Sequence, residues 1–405
     1  MAFDIGPILC VNAGSSSLKL ELVSSSLDQV VKTEVTNVGK ANACLISVIG
    51  GRTTSENLAA KDCSEAFDHC LMKIGDVFDL AGVGAIGHRI VHGGNKNTKP
   101  SVLTELVFKD LEKWSSVDPE HMKSSLEIIA KSEKKFPKAI QVACFDTSFF
   151  TEMPDVAKTI PIPRKFASLG IKKYGFHGLS YEYVYGAFKN ELGIEISNGR
   201  IILAHLGGGA SLAAIKNCSV VDTSMSFTPS SGVPSGTRAG DLDAAIVGFL
   251  VQRANMTIEE VNQMLYYQSG LLGISGISAD MKDLLAKSKD SKSAQLAIDV
   301  FISRIRQSIG GMTATMGGLD SLIFTGGIGE NSPVVRSRIC ENFSYLGISV
   351  DEKVNGENAF IISSKESEIG VYVIKTNEAS IIAKQTIEAS MTYKETTNGD
   401  QTTFN

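Results

Sequence analysis

Two segments, almost half the chain apart, share one pattern: an apolar run, a turn of small residues and a second apolar run. The first is ILCVNAGSSSLKLELV, over Ile8–Val23, and the second is IILAHLGGGASLAAIK, over Ile201–Lys216. Short apolar runs on either side of such a turn are typical of paired β-strands. The repetition predicts a duplicated α/β domain, although two unrelated hairpins would give the same pattern.

The composition is typical of a folded protein and argues against nucleic acid and membranes as binding partners. Of the 405 residues, 43% are hydrophobic and 20% charged, which is ordinary globular composition, and the length favours two domains. A net charge of -5 gives no sign of a nucleic-acid-binding face, and no run of about 18 apolar residues predicts a membrane span. The first residues lack the basic segment and cleavage site of a signal peptide. Because the seven cysteines also form no C-x-x-C pair, we expect a reducing, cytoplasmic setting.

Glycine is the residue type in excess, with 38 residues, and several of these glycines follow apolar runs in three loops. The loops are Asn12–Lys19 (NAGSSSLK), His205–Ser211 (HLGGGAS) and Phe324–Asn331 (FTGGIGEN). Glycine lets a ligand approach the backbone closely, and consecutive N–H and hydroxyl groups suit phosphate oxygens. Ligands of open α/β sheets bind beyond the carboxyl ends of the strands. Each loop alone could be an ordinary turn, but together they favour a phosphate or nucleotide site.

A fourth glycine-rich segment, Gly82–Gly87, matches the dinucleotide pattern G-x-G-x-x-G. That pattern has its meaning only where it follows a strand and opens a helix. Here the following residues, His88–His92, alternate in polarity and end at two glycines, which predicts a strand. We therefore reject a dinucleotide-binding fold.

Other apolar runs extend the α/β pattern along the chain. The further strands expected are Ile86–Val91, Ala139–Phe145, Ser321–Phe324 and Val371–Lys375. The helices expected are Glu120–Ser132, Tyr181–Leu192, Val261–Tyr267 and Ser291–Met316. Thr257 and Glu260 form a T-x-x-E capping box ahead of the third helix, and Gly270 is expected to end it. The polar tail from Met391 is expected to be frayed or disordered.

Four charged or basic side chains stand beside these loops and strands: Arg89, Asp146, His177 and Arg238. Each alone could be part of a structural ion pair or a core histidine. Together they supply what phosphoryl transfer needs, because arginines neutralise phosphoryl charge, a carboxylate holds Mg²⁺ and a histidine donates a hydrogen bond.

The chain resembles the acetokinase family, which belongs to the superfamily of actin, Hsp70 and sugar kinases, from about Ile8 to about Ala383. The motifs that carry the resemblance are VNAGSSSLK, HRIVHGG, VACFDTSFF, YGFHGLSY, HLGGGAS, GTRAGDLD, GLLGISGISADM, FTGGIGENS and IKTNEAS. The resemblance implies two actin-like, ribonuclease H-like domains with a cleft between them. Residues 1–150 with 380–405 would bind the acyl substrate, and residues 151–379 would bind the nucleotide and form a dimer.

The resemblance also implies a reaction and its participants. The γ-phosphoryl group of ATP would pass directly to acetate, reversibly, to give ADP and acetyl phosphate. Mg²⁺, for which Mn²⁺ could substitute, would be required, and the enzyme would be a cytoplasmic homodimer. Arg89 and Arg238 would bind the carboxylate and the transferring phosphoryl group, to which His177 would donate a hydrogen bond, and Asp146 would be the fourth catalytic residue.

The other roles implied by the resemblance fall on positions that match the family's motifs. The metal would be organised by Asn12, Asp146 and Glu378. The acyl pocket beside Arg89 would be formed by Val91, Phe176 and Pro229. The phosphates and nucleotide would be bound by Ser15, Ser17, Lys19, His205, Gly207, Gly208, Gly209, Asp280, Lys282, Gly327, Gly329, Asn331, Val335 and Arg336.

The chain departs from the family's usual pattern at several of these motifs. Glu120 stands at a position where a pocket leucine is usual, and Gly208 stands where the phosphate loop usually has asparagine. The motif G-F-H-G-T-S-H ends here in Tyr181, and F-D-T-A-F-H ends in Phe150. Lys282 occupies a position where arginine is frequent. The preferred acyl chain and phosphoryl donor therefore stay open.

Three alternatives to an acetate-specific kinase follow. Propionate or another short carboxylate could be the acceptor, which a substrate series would show. Pyrophosphate could replace ATP, although the FTGGIGENS loop favours a nucleotide. An actin-like scaffold switched by ATP would need the phosphate loops but not Arg89, Arg238 and His177.

Overall fold

A computed structural model describes residues 5–14 and 16–399 of the chain. Two compact units divide it after Ser148 and again after Thr376, so that both ends of the chain belong to the first unit. Among the described residues, no helix is both long enough and apolar enough to span a bilayer.

Thirteen strands form two sheets, and fourteen α-helices cover them in the described part of the chain. The strands are β1 Ile8–Ala13, β2 Ser17–Val23, β3 Gln29–Thr36, β4 Cys44–Ile49, β5 Arg52–Asn57, β6 Ala85–Ile90, β7 Ser101–Val102, β8 Ile140–Phe145, β9 Arg200–Leu206, β10 Ala210–Lys216, β11 Ser219–Thr223, β12 Ser321–Thr325 and β13 Gly370–Val373. The helices are α1 Cys63–Gly75, α2 Glu105–Trp114, α3 Pro119–Lys135, α4 Asp155–Lys158, α5 Gly178–Ser197, α6 Ala245–Arg253, α7 Ile258–Tyr267, α8 Gly270–Ser275, α9 Met281–Lys287, α10 Lys292–Met316, α11 Gly326–Asn331, α12 Pro333–Cys340, α13 Glu352–Gly356 and α14 Glu378–Gly399.

The first unit is built on an eight-stranded sheet in the order β5-β4-β3-β2-β1-β6-β8-β7. Strand β1 pairs antiparallel with β2 and parallel with β6, which in turn pairs parallel with β8. Leu9, Val11 and Ile86 belong to a buried core that also includes Phe67 of α1. The carboxyl ends of β1, β6 and β8 therefore lie side by side.

Helix α14 packs on β1, β6 and β8, and Gly87 permits this close contact. A Cβ atom on Gly87 would collide with the side chains of Thr386 and Ile382. A larger residue at this position would therefore force the helix away from the sheet.

The second unit contains a five-stranded sheet in the order β11-β10-β9-β12-β13. Strand β9 pairs antiparallel with β10 and parallel with β12, as β1 does with β2 and β6. Its core includes Leu322 of β12 and, on the long helix α10, Phe301 and Ile305. The two sheets thus repeat one arrangement, which confirms the predicted duplication of an α/β motif.

All eight strands and four helices expected from the sequence are present, with ends shifted by a few residues. The capping box at Thr257 and Glu260 is also present. Segment Gly82–Gly87 leads into β6 and not into a helix, as predicted.

Three expectations about local structure were wrong. Gly270 does not end α7, which ends at Tyr267; it is the first residue of α8, with a left-handed φ of 59°. The FTGGIGEN segment, expected to be a loop, contains a helix, α11. The tail from Met391 is helical as far as Gly399, because a helix already nucleated by its packed first half extends at little cost through residues without a breaker. Residues 400–405 lie outside the described residues.

A buried histidine in β6 should make the stability of the protein depend on pH. His88 Nε2 lies 2.7 Å from Gln141 Oε1, and burial lowers the pKa of His88 to about 4, although the Gln141 hydrogen bond opposes this. The unfolded chain binds this proton near pH 6.5, so stability is lost as pH falls below that value. We expect wild type to lose about 2 kcal/mol more than His88→Gln between pH 7 and pH 5 in urea unfolding. The same substitution at half-buried His69 is the control, and equal pH dependence of wild type and His88→Gln would refute the effect.

Candidate functional site

Four polar side chains meet at the carboxyl ends of β1, β6 and β8 in the first unit. Arg89 Nε lies 3.1 Å from each carboxylate oxygen of Asp146, and its Nη2 lies 2.6 Å from Oδ2. Arg89 Nη1 donates to Asn12 Oδ1 at 3.0 Å, and Asn12 Nδ2 donates to Glu378 Oε2 at 2.8 Å. The sequence separates these residues by up to 366 positions, but three adjacent strands and the start of α14 bring them together.

These four side chains, Arg89, Asp146, Asn12 and Glu378, form the Arg89 cluster, which is largely buried. The Asp146 side chain is 1% exposed and that of Arg89 is 16% exposed. Burial raises the pKa of Asp146, and the Arg89 guanidinium opposes that rise. Burial disfavours the charge on Arg89 as well, but the carboxylates of Asp146 and Glu378 outweigh it and raise the pKa of Arg89. Arg89 is therefore a fixed cation that can bind an anion.

The oxygen atoms of this cluster fit a magnesium ion. Mg²⁺ is commonly held by one or two carboxylates together with substrate phosphates and water, and not by an all-protein cage. Asp146, Glu378 and Asn12 offer two carboxylates and an amide oxygen. Within residues 5–14 and 16–399, no group of three or more His, Cys, Asp or Glu side chains could form such a cage.

A second set of polar side chains surrounds His177 in the second unit. His177 immediately precedes α5 and has a left-handed φ of 60°. Its Nδ1 lies 2.8 Å from Ser211 Oγ, and its ring stacks on that of His205 with centroids 4.3 Å apart. His205 Nδ1 lies 2.8 Å from Ser180 Oγ. The orientation of the His177 ring is therefore fixed from two sides.

His177 and Arg238 converge beside Gly209. A Cβ atom on Gly209 would lie 3.1 Å from His177 Nε2 and 3.5 Å from Arg238 Nη1. Glycine thus leaves room next to two nitrogen atoms that can donate hydrogen bonds. Two such donors beside a residue without a side chain suit a phosphoryl group.

The loop that carries Arg238 packs against Gly270. This contact is the reason for a glycine at a position that does not end α7. The N–H of Leu271 donates to the carbonyl of Ser235, and a Cβ atom on Gly270 would collide with that carbonyl and approach the Arg238 carbonyl to 2.7 Å. Gly270 also has a left-handed backbone that favours glycine.

We expect Gly270→Ala to displace Arg238, to lower kcat several-fold and to lower the free energy of unfolding by about 1–3 kcal/mol. The matched control is Gly276→Ala, because Gly276 has φ of 64° but no atom within 4 Å of the added Cβ. Steady-state kinetics and urea unfolding of both variants would check this. Equal kcat values in the two variants would show that the collision at Gly270 does not disturb Arg238.

A pocket of about 550 Å³ lies beside the glycine loops of the second unit. Its lining residues are Gly207, Gly208, Ala279, Asp280, Met281, Lys282, Leu285, Gly327, Ile328, Asn331 and Ser332. Asp280 accepts the backbone N–H of Lys282, and Asn331 Nδ2 donates to the carbonyl of Gly327. The volume and the mixture of apolar surface with a few polar groups suit a small ligand such as a nucleotide.

Some expected site residues lie elsewhere. Val335 and Arg336 are fully buried and do not line the pocket. Arg336 donates to the carbonyl of Gly329 at 2.8 Å and to Asn355. Lys19 lies 3.3 Å from Glu34, in a cross-strand ion pair.

The remaining expected positions are distributed over both units. Ser15 lies outside the described residues, and the neighbouring Ser17 is half-buried at the start of β2. The apolar residues assigned to the acyl pocket are all buried, Val91 in the first unit and Phe176 and Pro229 in the second.

Sequence reasoning missed the partners that orient the histidines. Ser211 stands out in the sequence only as part of the HLGGGAS motif, and Tyr181 only as the start of an expected helix and a departure from the family pattern. The signal for Ser211 lies in strand register, because Ser211 pairs directly with His205 across the β9–β10 hairpin. Ser180 offered a weaker signal, as the residue three positions after His177, one helical turn along α5.

Comparison with known proteins identifies the family. The model of the Acetokinase family matches residues 7–384. Propionate kinase PduW of Salmonella typhimurium is 38% identical over 390 residues, covering 95% of this chain and 96% of its own. An acetate kinase of Clostridium novyi is 39% identical over 392 residues, covering 94% and 98%.

Solved structures agree with these relatives. Acetate kinase of Porphyromonas gingivalis is 33% identical with a TM-score of 0.83, covering 95% of this chain and 100% of that one. A propionate kinase of Francisella tularensis is 32% identical with a TM-score of 0.88, covering 95% and 99%. The chain therefore belongs to the acetokinase family of kinases and has the actin-like ATPase fold of that family.

Proposed function

We propose that this enzyme transfers the γ-phosphoryl group of ATP to acetate, reversibly, giving ADP and acetyl phosphate. The observation that carries the proposal is the Arg89 cluster, a fixed guanidinium with two carboxylates and an amide at the carboxyl ends of parallel strands. A carboxylate that attacks a polyphosphate brings two anions together. A buried arginine that remains charged is the group expected to bind one of them.

The other groups have complementary roles in the proposal. The family resemblance implies that Arg89 binds the acetate carboxylate and that the apolar residues Val91, Phe176 and Pro229 accept its methyl group. Hydrogen bonds from His177 and Arg238 stabilise the negative charge on the transferring phosphoryl oxygens. No side chain has to form a covalent bond, because positioning and charge neutralisation suffice for a direct transfer.

The metal and the nucleotide complete the proposed set. Asp146, Glu378 and Asn12 would hold Mg²⁺, which supplies charge neutralisation at the phosphates when bound. The pocket beside Gly207, Gly327 and Asp280 would bind the adenosine part of ATP.

Acyl phosphate formation tests the proposal directly. The enzyme would be assayed with formate, acetate, propionate and butyrate, each with ATP or pyrophosphate, and the acyl phosphate trapped as its hydroxamate. We expect turnover with ATP and Mg²⁺, highest kcat/KM for acetate and loss of turnover in Glu378→Ala. Nucleotide binding without acyl phosphate from any acid would instead favour an ATP-switched scaffold.

Propionate is the second candidate acceptor, because two of the curated relatives at 38% identity are propionate kinases. Glu120, near the start of α3, stands where the family usually has a pocket leucine. If Glu120 limits the acyl pocket, Glu120→Leu should change the ratio of kcat/KM for propionate and acetate. Glu127→Leu, an exposed glutamate on the same helix, is the control and should leave that ratio unchanged.

We also propose that a second copy of the chain is its partner. Helix α6 (AIVGFLVQR) is strongly apolar but contains no buried residue, and Ile246 and Phe249 are 43% and 62% exposed. An apolar face of this kind marks an interface, and the family resemblance implies a homodimer. Light scattering should give a dimer for wild type and a monomer for Phe249→Glu. A wild-type monomer at micromolar concentration would refute the proposal.

A cytoplasmic location completes the proposal. The seven cysteines are free thiols, four of them fully or almost fully buried in the first unit. Free thiols persist in a reducing compartment, where ATP is also available. Fractionation of source cells, with the activity expected in the soluble fraction, would check this.

A further inference from the structure

Hydrogen bonds join three buried side chains of the second unit: Tyr181, Ser211 and His177. Tyr181 Oη lies 2.5 Å from Ser211 Oγ, and Ser211 Oγ lies 2.8 Å from His177 Nδ1. Tyr181 and Ser211 are 0% exposed and His177 is 9% exposed. Tyr181 lies one turn after His177 on α5, whereas Ser211 comes from β10, so two elements fix the chain of hydrogen bonds.

Either atom could be the donor in each of these two hydrogen bonds, and one assignment gives every hydroxyl proton an acceptor. If Tyr181 donates to Ser211 and Ser211 donates to His177, each hydroxyl proton has an acceptor within the three groups. His177 Nδ1 is then an acceptor, and the proton of the neutral ring resides on Nε2. Burial raises the pKa of Tyr181, against the opposing effect of the Ser211 hydrogen bond, so the phenol remains a donor at neutral pH.

The Nε2 atom is the one nearest Gly209, 3.1 Å from the space that a Cβ atom there would occupy, and Arg238 Nη1 lies 3.5 Å from the same space. A hydrogen on Nε2 makes the imidazole a donor toward that space, whereas the other tautomer would present a lone pair. A lone pair would repel a phosphoryl oxygen, since both are rich in electrons. The tautomer of His177 therefore decides whether it can stabilise the transferring group.

We propose that Tyr181 and Ser211 are positioning residues that hold His177 as its Nε2–H tautomer, ready to donate a hydrogen bond to the transferring phosphoryl group. The inference rests on the proposed function for its catalytic consequence, but the tautomer itself can be measured without turnover. No proton has to move along the three groups during the reaction. The family usually has histidine at the position where this chain has the phenol of Tyr181.

The direct test is ¹⁵N NMR of the enzyme labelled at histidine. The chain has six histidines, so the spectrum contains few signals. His177→Gln assigns the His177 signals. We expect wild type to show Nδ1 as the unprotonated nitrogen and Nε2 as the protonated one, and Ser211→Ala to show a mixture of tautomers. A wild-type His177 with its proton on Nδ1 would overturn the proposal even if the enzyme is a fully active kinase.

Kinetics test the consequence of that tautomer. We expect Ser211→Ala to lower kcat by about 10- to 100-fold, and Tyr181→Phe by a smaller factor, with KM for ATP and acetate within about twofold of wild type. The pH profile of kcat should shift in both variants, and Tyr181→His should restore most of the lost rate.

The matched control is Tyr185→Phe, one turn further along α5, where the hydroxyl donates to the Ser197 carbonyl instead. It should leave kcat and the His177 signals unchanged. Normal kcat and pH profile in both Tyr181→Phe and Ser211→Ala would refute the positioning role. If wild type forms no acyl phosphate, the proposed function fails, while the NMR result still decides the tautomer.

Discussion

Replacing Arg89 with alanine should lower kcat for acyl phosphate formation by at least about 10³-fold. Removing one preorganised donor to a developing charge typically costs 10² to 10³, and Arg89 is also the charged partner of the buried Asp146. Initial rates over a range of acetate and ATP concentrations would measure kcat and both KM values. Circular dichroism and urea unfolding would show how much of the loss reflects stability.

Two further variants, one at Arg89 and one at another ion pair, separate the effects of charge, geometry and folding. Arg89→Lys keeps a positive charge but cannot form the fork to Asp146, so we expect it to fold and to lose about 10²-fold in kcat. Arg200, at the start of β9, forms an ion pair with Asp320 in which Nη2 lies 2.5 Å from Oδ1. Arg200→Ala is the control and should retain almost all activity. Full activity in folded Arg89→Ala would remove Arg89 from the proposed mechanism.

The sheet of each unit could be predicted because its hairpin is a local pattern. Strands β1 and β2, like β9 and β10, are adjacent in sequence and pair with each other, so their apolar runs and short turn already contain the contact. The parallel partners β6 and β12 are supplied by distant parts of the chain. Apolar content predicted these strands, but nothing local in the sequence gave their register.

The local errors arose where distant contacts outweigh local propensity. The glycine-rich Gly326–Asn331 segment forms a helix, although glycine is a poor helix former. The Glu330 carboxylate accepts the N–H groups of Gly326 and of Thr376, and thereby closes the helix start against a distant segment. No pattern within the FTGGIGEN motif contains that second contact.

The site residues were easier to name than to orient. Arg89 and Asp146 could be selected because each follows or interrupts a buried strand, and the structure joins them in one ion pair. Lys19 and Arg336 carry the same positive charge as Arg89. However, Lys19 pairs with Glu34, and Arg336 is fully buried. A sequence shows that a cation is present, but packing decides whether it faces a ligand or the core.

Arg336 gives the sharpest test of that distinction. Its guanidinium donates to Asn355, to the carbonyl of Gly329 and to Asn358 Oδ1, and burial lowers the pKa of Arg336 to about 10. We expect Arg336→Met to lower the free energy of unfolding by about 3 kcal/mol or more, because these buried acceptors lose their donors. Gly329 lies in α11, so KM for ATP should also rise, by less than tenfold, with KM for acetate unchanged.

Urea unfolding and initial rates against ATP would measure both effects. Arg304→Met, at an exposed position of α10, is the control and should change neither quantity appreciably. The family resemblance implies a different result, since a direct contact between Arg336 and the nucleotide would raise KM for ATP strongly while leaving unfolding almost unchanged. A large loss of stability with a small change in KM would show that Arg336 stabilises α11 without contacting the nucleotide. A buried guanidinium that binds backbone carbonyls can act on a ligand only through them.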